Sequence, residues 1–121
     1  MKIKKEKKIT KKKLEKLEKR KIKKQFKEWS EQVKQRDGYK CVICGRTEFL
    51  HTHHIIPRQN KFFRFDIDNG LTLCAKHHKY NYEISAHKNP LVFVLWLLEK
   101  RRTQLMQLLE KFIILESRTL Q

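Results

Sequence analysis

Two short pairs of metal-binding residues constrain this 121-residue chain more than any other feature of its sequence. Cys41 and Cys44 form a C-x2-C pair, and Cys74 and His77 form a C-x2-H pair after the intervening residues 45–73. Zinc binds four sulfur or nitrogen ligands tetrahedrally, and two turns that each carry two ligands can supply them with little backbone strain. Because metal binding and folding are linked in small domains, a structural zinc would also explain how this region folds.

Two further interpretations of these residues stay open. The three cysteines could be unrelated buried side chains beside a chance histidine, although the doubled spacing argues against this. His78 directly follows His77, so either histidine could complete the zinc site. Four protein ligands leave no open position on the metal, and a catalytic role for this zinc is therefore not expected.

The formal net charge of +17 lies mostly in the first 24 residues of the chain. A chain this basic favours polyanionic partners, either nucleic acid or an anionic membrane surface. The lysine-rich arm could be a solvated helix face or a phosphate-binding surface, since both interpretations use the same side chains. The arm's candidates for nucleic-acid contact are Lys11, Lys12, Lys13, Lys16 and Arg20.

The cysteine content and the apolar segments indicate the cellular compartment in which such a chain is expected. An odd number of cysteines without an apolar N-terminal segment argues against a secreted disulfide framework. The longest apolar run, residues 91–98, is too short to cross a bilayer, so no membrane partner is expected. We expect an intracellular protein in a reducing compartment, which would be the cytoplasm, the nucleoid or an organelle matrix.

Apolar periodicity predicts a helix in each flank of the chain. Apolar side chains recur at helical spacing from about residue 10 to Arg36, and the Asp37-Gly38 pair would end this helix. After Pro90, residues 91–120 predict one long helix with a broad apolar stripe. That stripe would pack against the apolar face of the N-terminal helix or against a second subunit, in a homodimer or a larger assembly.

The region between the flanking helices predicts small elements and holds all six histidines and all three cysteines. Residues 48–50 and 71–73 are expected to be brief strands, and residues 68–70 a turn. Residues 74–85 predict a short helix.

Three histidines, His51, His53 and His54, lie between the two zinc pairs. If residues 49–53 form a strand, His51 and His53 point to one face, and His54 faces the other or lies at the strand's end. One histidine could then bind a metal while its neighbour stays free to accept a proton near neutral pH. His51 is expected to be a surface or packing residue.

This middle region resembles the HNH endonuclease family at residues 36–78. The resemblance rests on Arg36-Asp37, Cys41-x2-Cys44-Gly45, His53-His54-Ile55-Ile56-Pro57, Asp66-x-Asp68-Asn69-Gly70-Leu71, Leu73-Cys74 and His78. The order histidine, asparagine, histidine at His54, Asn69 and His78 gives the family its name. The resemblance implies an α+β fold, in which a small ββα-metal module with zinc knuckles lies between a basic N-terminal helix and a long apolar-striped C-terminal helix.

The resemblance also implies a role for each of these polar residues. His53 and His78 would ligate a catalytic divalent ion, either Mg²⁺ or another divalent metal, separate from the structural zinc. His54 would be the general base that activates water. Asn69 would hold the loop and orient His54, or assist at the metal. Such an ion would neutralise charge that develops on the phosphate and on the leaving oxygen.

Two positions depart from the family's pattern. Many members have cysteine where His77 stands. Some members carry a further metal-binding histidine one turn after His78, but Tyr82 occupies that position here. Water or substrate phosphate would then complete the coordination of the catalytic ion, with Glu83 and His87 as remote alternatives.

The function implied by the resemblance is that of a metal-dependent endonuclease that hydrolyses phosphodiester bonds of DNA, and RNA stays open as a partner. Arg58, Lys61 and Arg64 are further candidates for phosphate contact, although the phenylalanines between them also suit a packed loop. The alternative function is a catalytically inactive, zinc-stabilised nucleic-acid-binding module in a larger nucleoprotein assembly. The chain would divide into a basic arm (1–30), a nuclease module (31–88) and a packing or oligomerisation helix (89–121).

Overall fold

The computed structural model describes residues 8–119, apart from the side chain of Thr119, and this part of the chain combines helices with a two-stranded sheet. Its elements are α1 (Lys11–Arg36), β1 (Leu50–His54), β2 (Gly70–Cys74), α2 (Pro90–Lys100) and α3 (Arg102–Thr119). The predicted α+β class is therefore confirmed. Residues 1–7 of the predicted arm and the last residue of the helix predicted over residues 91–120 lie outside the described residues, as does residue 121. No helix in residues 8–119 is long and apolar enough to span a membrane.

Helix α1 begins and ends close to the predicted positions. The Thr10 side chain caps its first turn by accepting a hydrogen bond from the backbone N–H of Lys13 at 3.3 Å. After the C-cap residue Asp37, Gly38 takes a φ of 71°, a left-handed conformation that glycine adopts without steric cost. Near its C-terminal end the helix buries Trp29 and Val33.

Strands β1 and β2 pair antiparallel, with Leu50 opposite Cys74 and His54 opposite Gly70. Every residue of β2 is buried, because helices cover both of its faces. Leu71 and Leu73 belong to a core cluster with Phe93 and Leu97 of α2, whereas Gly70 lies against α1. Because side chains alternate along a strand, one face of the sheet packs against α1 and the other against α2.

The predicted single helix over residues 91–120 is wrong, since the chain breaks it at Arg101. This residue leaves the helical conformation (φ −130°, ψ 33°), and its guanidinium donates a hydrogen bond to the Asp37 carboxylate at 3.3 Å. The break lets α3 pack back on the module, where its Leu105 and Leu108 are buried and Gln104 donates hydrogen bonds to backbone carbonyls just before β2 and at its first residue. Part of the apolar stripe is therefore covered within the chain.

Smaller elements also differ from those predicted. The helix expected over residues 74–85 is only a π-helical turn, Lys76–Tyr80, because the side chain of Asn81 accepts backbone N–H groups of residues 83 and 84 and turns the chain away. The strand expected over 48–50 begins only at Leu50, after Phe49 with a φ of 54°. The turn expected over 68–70 is a short 3-10 helix, Ile67–Asn69.

The carboxylate of Asp37 joins α1, β2 and the junction between α2 and α3. It accepts two hydrogen bonds of 3.0 Å from Arg36, one of 3.3 Å from Arg101 and one of 2.9 Å from the backbone N–H of Thr72. Burial by itself raises the pKa of Asp37, but the hydrogen bonds from Arg36 and Thr72 and the charge of Arg36 outweigh burial and hold the pKa below its ordinary value. The ionised carboxylate is thus the form that the fold stabilises.

Gly70 provides the close approach between the sheet and α1. A Cβ atom at Gly70 would lie 2.6 Å from Val33 Cγ2 and 2.7 Å from Trp29 Cζ2, both on buried side chains. We therefore expect Gly70→Ala to lower the free energy of unfolding by about 1–3 kcal/mol, which urea denaturation can measure. Because the cause is steric, adding Val33→Ala should recover part of the loss. Strictly additive effects of the two substitutions would contradict this explanation.

Candidate active site and metal centres

The two predicted zinc pairs converge at one end of the sheet. The Sγ atoms of Cys44 and Cys74 are 3.8 Å apart, and His77 Nδ1 lies 3.3 Å from Cys74 Sγ and 3.7 Å from Cys41 Sγ. A tetrahedral zinc with bonds of about 2.3 Å to sulfur would separate its sulfur ligands by about 3.8 Å. This cysteine cluster (Cys41, Cys44, Cys74 and His77) is therefore compatible with zinc.

Backbone hydrogen bonds shape the first zinc pair. Cys41 donates its backbone N–H to the carbonyl of Arg46, and Gly45 donates to the carbonyl of Cys41, both at 2.8 Å. Gly45 adopts a φ of 76°, which explains the glycine at this position. A hydrogen bond of 3.0 Å from Val42 to the carbonyl of Thr72 attaches this turn to β2. The turn and the strand thus hold their cysteines on the same side.

Consecutive histidines in the π-helical turn point into different clusters. His77 is buried among the cysteines, whereas His78 lies against His53 and His87. Of the two residues considered for the fourth position of the cysteine cluster, the structure places His77 there.

His53, His78 and His87 form a second cluster, the histidine cluster, whose ring nitrogens lie within 4.8 Å of one another. Nε2 of His78 is 3.0 Å from Nε2 of His87. The His53 ring packs edge-on against Phe93 of α2, with ring centroids 5.5 Å apart. The predicted pair, His53 and His78, is thus brought together, and a third imidazole that could hold a metal joins it.

The third histidine reaches the cluster through a loop that sequence spacing did not reveal. Ala86 and His87 donate their backbone N–H groups to the carbonyls of His77 and His78, at 3.0 and 3.1 Å, so the loop folds back on the π-helical turn. Tyr82, at the position where a ligand was expected to be missing, is 77% exposed. The sequence signal that could have revealed this loop is the turn-forming residues at its two ends, Asn81 and Asn89-Pro90.

Burial and mutual proximity keep His53 and His78 uncharged near neutral pH. Burial, together with the nearby imidazoles of His78 and His87, lowers the pKa of His53 to about 3. Burial and the neighbouring His87 and His51 lower the pKa of His78 to about 4. Neutral imidazoles offer the lone pairs that metal binding needs.

His51 contacts the histidine cluster from outside it. Its Nδ1 lies 3.0 Å from Nδ1 of His78, whereas the other ring nitrogen of His78, Nε2, faces His87. A partner on the second nitrogen is the arrangement that fixes the tautomer and orientation of metal-binding histidines. The sequence predicted only a surface or packing role for His51, because its contact with His78 depends on the fold.

His54 faces α1, on the other side of the strand from His51 and His53, as the alternation of side chains predicted. Its ring stacks on Trp29 with centroids 4.0 Å apart and an interplanar angle of 13°. Its Nε2 lies 2.9 Å from the carbonyl oxygen of Arg64. Because a carbonyl oxygen only accepts, Nε2 carries the proton and Nδ1 keeps the lone pair. Burial lowers the pKa of His54, which favours this neutral form.

Asn69 is fully buried and holds the loop that follows β1. Its side-chain oxygen accepts the backbone N–H of Ile56 at 2.6 Å, and its nitrogen donates to the carbonyls of Ile56 and Phe63 at 3.0 Å. Phe63 precedes Arg64, whose carbonyl binds His54. Of the two expected roles, these contacts fit the one that holds the loop and orients His54.

A groove joins the histidine cluster to His54. Its lining includes His53, His54, Arg58, His78, Lys79 and His87. Of the other basic residues predicted near the site, Lys61 is exposed, and the Arg64 guanidinium lies over the ring of Phe65 at 5.0 Å. Arg58 is thus the member of that predicted trio that borders the groove.

Comparisons with known proteins agree with this geometry. Residues 41–80, which include both zinc pairs, match the HNH endonuclease family. The chain is also similar to a protein named Anaredoxin from Nostoc sp., with 33% identity over 63 residues, covering 48% of this chain and 82% of that relative. No solved structure matches the chain. The chain belongs to the HNH endonuclease family.

Proposed function

We propose that this protein is a metal-dependent endonuclease that hydrolyses phosphodiester bonds of DNA. The observation that carries the proposal is the groove whose lining includes both the histidine cluster and His54. A metal-binding group and a separate imidazole with a free lone pair are the two components that hydrolysis of a phosphodiester needs. A module that only binds nucleic acid has no need of either.

In this proposal the two clusters have different tasks. The cysteine cluster holds a structural zinc and contributes to folding. His53, His78 and His87 would hold the catalytic ion, and His51 positions His78 through its second ring nitrogen. A divalent ion bound there would neutralise charge that develops on the phosphate and on the leaving oxygen.

The ligand set also favours one class of metal. In residues 8–119 the histidine cluster contains three imidazoles and no carboxylate. Mg²⁺ prefers oxygen ligands, whereas Mn²⁺, Co²⁺, Ni²⁺ and Zn²⁺ accept imidazole. We therefore propose a transition-metal ion in preference to the Mg²⁺ first considered.

His54 would act as the general base through Nδ1, which accepts a proton from the attacking water. The Trp29 stack and the Arg64 carbonyl hold its ring in place, and Asn69 holds the loop that carries that carbonyl. Arg58, on the wall of the groove, would bind the phosphate. Preorganised groups of this kind cost little reorganisation during the reaction.

The proposal is tested by nicking of supercoiled plasmid by the zinc-loaded protein, with Mn²⁺, Co²⁺, Ni²⁺ or Mg²⁺ added. We expect activity with at least one transition metal and a loss of about hundredfold or more in His54→Ala, because the base is removed. His54→Asn should behave like His54→Ala, since an amide cannot take the proton. Melting temperature and zinc content of both variants show whether the fold is intact.

A matched control is Tyr82→Phe, which changes an exposed side chain beyond the groove and should leave the rate unchanged. If the wild type nicks no faster than His54→Ala with any of these metals, the nuclease proposal fails. Binding of DNA without cleavage would then favour the alternative, a zinc-stabilised nucleic-acid-binding module. A homodimer through residues 91–120 stays a prediction, which sedimentation of the full chain would test.

A further inference from the structure

A second groove leaves the candidate active site along α1. Its lining includes Lys19, Lys23, Ser30, Thr52, His54 and Arg58. Thr52, His54 and Arg58 also line the groove of the histidine cluster, so the two grooves are continuous. The wall of the second groove joins the sheet through a hydrogen bond of 2.6 Å between the hydroxyl groups of Ser30 and Thr52.

Charge distinguishes these two grooves from others on the described surface. Their linings contain Lys19, Lys23, Arg58 and Lys79 but no carboxylate. Another groove on α1, by contrast, includes Glu28 and Glu31, and the groove at the junction between α2 and α3 includes two acidic residues. A continuous cationic lining of this kind attracts a polyanion such as nucleic acid.

The cationic lining continues along one face of α1. With 3.6 residues per turn, the side chains of Lys12, Lys16, Lys19 and Lys23 fall within about 60° of one another around the helix axis. Ser30, which contacts the sheet, falls in the same sector. All four lysines are exposed. The glutamates of α1, at positions 15, 18, 28 and 31, lie outside this sector, although the helix mixes both charges along its sequence.

We propose that this lysine stripe (Lys12, Lys16, Lys19 and Lys23) and Arg58 form a track for the phosphate backbone of a DNA duplex that leads to His54. The stripe spans about 17 Å, at 1.5 Å per residue. Over that distance a duplex presents about ten phosphate charges, at one per about 1.7 Å of its axis. The proposal rests on the proposed function for the choice of DNA. It differs from the arm candidates named from sequence, since it adds Lys19 and Lys23 and leaves out Lys11, Lys13 and Arg20.

The experiment compares two double variants of the full zinc-loaded protein. Lys19→Ala/Lys23→Ala removes two charges from the stripe. Lys21→Ala/Lys24→Ala removes two charges whose side chains point about 80° or more away from every lysine of the stripe. Alanine maintains helix propensity, so both variants should fold. Binding of a short DNA duplex is measured by fluorescence anisotropy at several KCl concentrations, without a divalent metal added, so that no cleavage occurs.

For the stripe variant we expect weaker binding and a plot of log K against log[salt] that is less steep by about 1.8, which corresponds to two lost phosphate contacts. The control variant should change the slope by clearly less. Equal changes in the two variants would overturn the proposal, because the charge would then act without regard to its position. Stripe-dependent binding to phosphatidylserine vesicles, with duplex binding unaffected, would overturn it in favour of a membrane surface.

Plasmid nicking by the wild type separates this proposal from the proposed function. Suppose that the stripe variant loses duplex binding and that none of the added metals enables the wild type to nick plasmid. The phosphate track then stands and the nuclease proposal fails. If the wild type nicks and the two double variants bind equally well, the nuclease proposal stands and the track fails.

Discussion

Loss of zinc from the cysteine cluster should unfold residues 41–80 as a unit. Cys41 and Cys74 are almost fully buried, and the chain between Asp37 and Leu50 contains no strand or helix that could hold the first pair in place. Structural zinc contributes an apparent binding free energy of about 10–16 kcal/mol, which is comparable to or larger than the whole stability of a small domain. We therefore expect Cys74→Ser to lose cooperative thermal unfolding of the module.

Zinc content and the near-ultraviolet circular dichroism of the tryptophans provide the measurements, because Trp29 packs directly on the sheet. Chelation of the wild type should reproduce the spectrum of Cys74→Ser, and added zinc should reverse the effect of chelation only. His87→Ala is the matched control, since it changes the histidine cluster and should retain the tightly held zinc. A Cys74→Ser protein that melts cooperatively at the wild-type temperature without zinc would contradict the prediction.

His87→Ala should in turn weaken metal binding in the histidine cluster by about hundredfold or more. Removal of residues that only support a metal ligand already costs about 10–100-fold in affinity, and His87 is a candidate ligand itself. Two imidazoles would stay behind, and water would have to replace the third. Titration of the zinc-loaded protein with Co²⁺ measures this affinity by absorption, apart from any cleavage of DNA.

The control for this prediction is again Tyr82→Phe, which tests the position where the family pattern locates a further histidine. Tyr82 is 77% exposed, and its hydroxyl accepts a hydrogen bond from Lys88 at 3.1 Å. Loss of this hydroxyl in Tyr82→Phe should therefore leave the Co²⁺ affinity unchanged. Equal affinities of wild type and His87→Ala would show that His87 is not a ligand. The pattern of two affected clusters, each sensitive to its own variants, would establish two separate metal sites.

The two pairs of the cysteine cluster could be predicted from sequence because the residues of each pair are close along the chain, whereas the pair His53 and His78 was implied by the family resemblance. Cys41 and Cys44 share a turn, and the pairing of β1 with β2 brings His53 near the turn that carries His78. Helix α1 was predictable for the same reason, since helical periodicity and the Asp37-Gly38 end signal are local. The break at Arg101 could not be predicted, because it depends on the buried carboxylate of Asp37 at the end of α1.

Sequence alone determined the three cysteines of the cysteine cluster, α1 and the alternation that separates His54 from His51 and His53. Each follows from spacing along the chain, which fixes the direction of neighbouring side chains. Only the tertiary structure decided that His87 joins the histidine cluster, that Trp29 holds His54 and that one face of α1 continues the groove. These contacts join residues whose separation along the chain carries no periodic signal, so packing against the sheet brings them together.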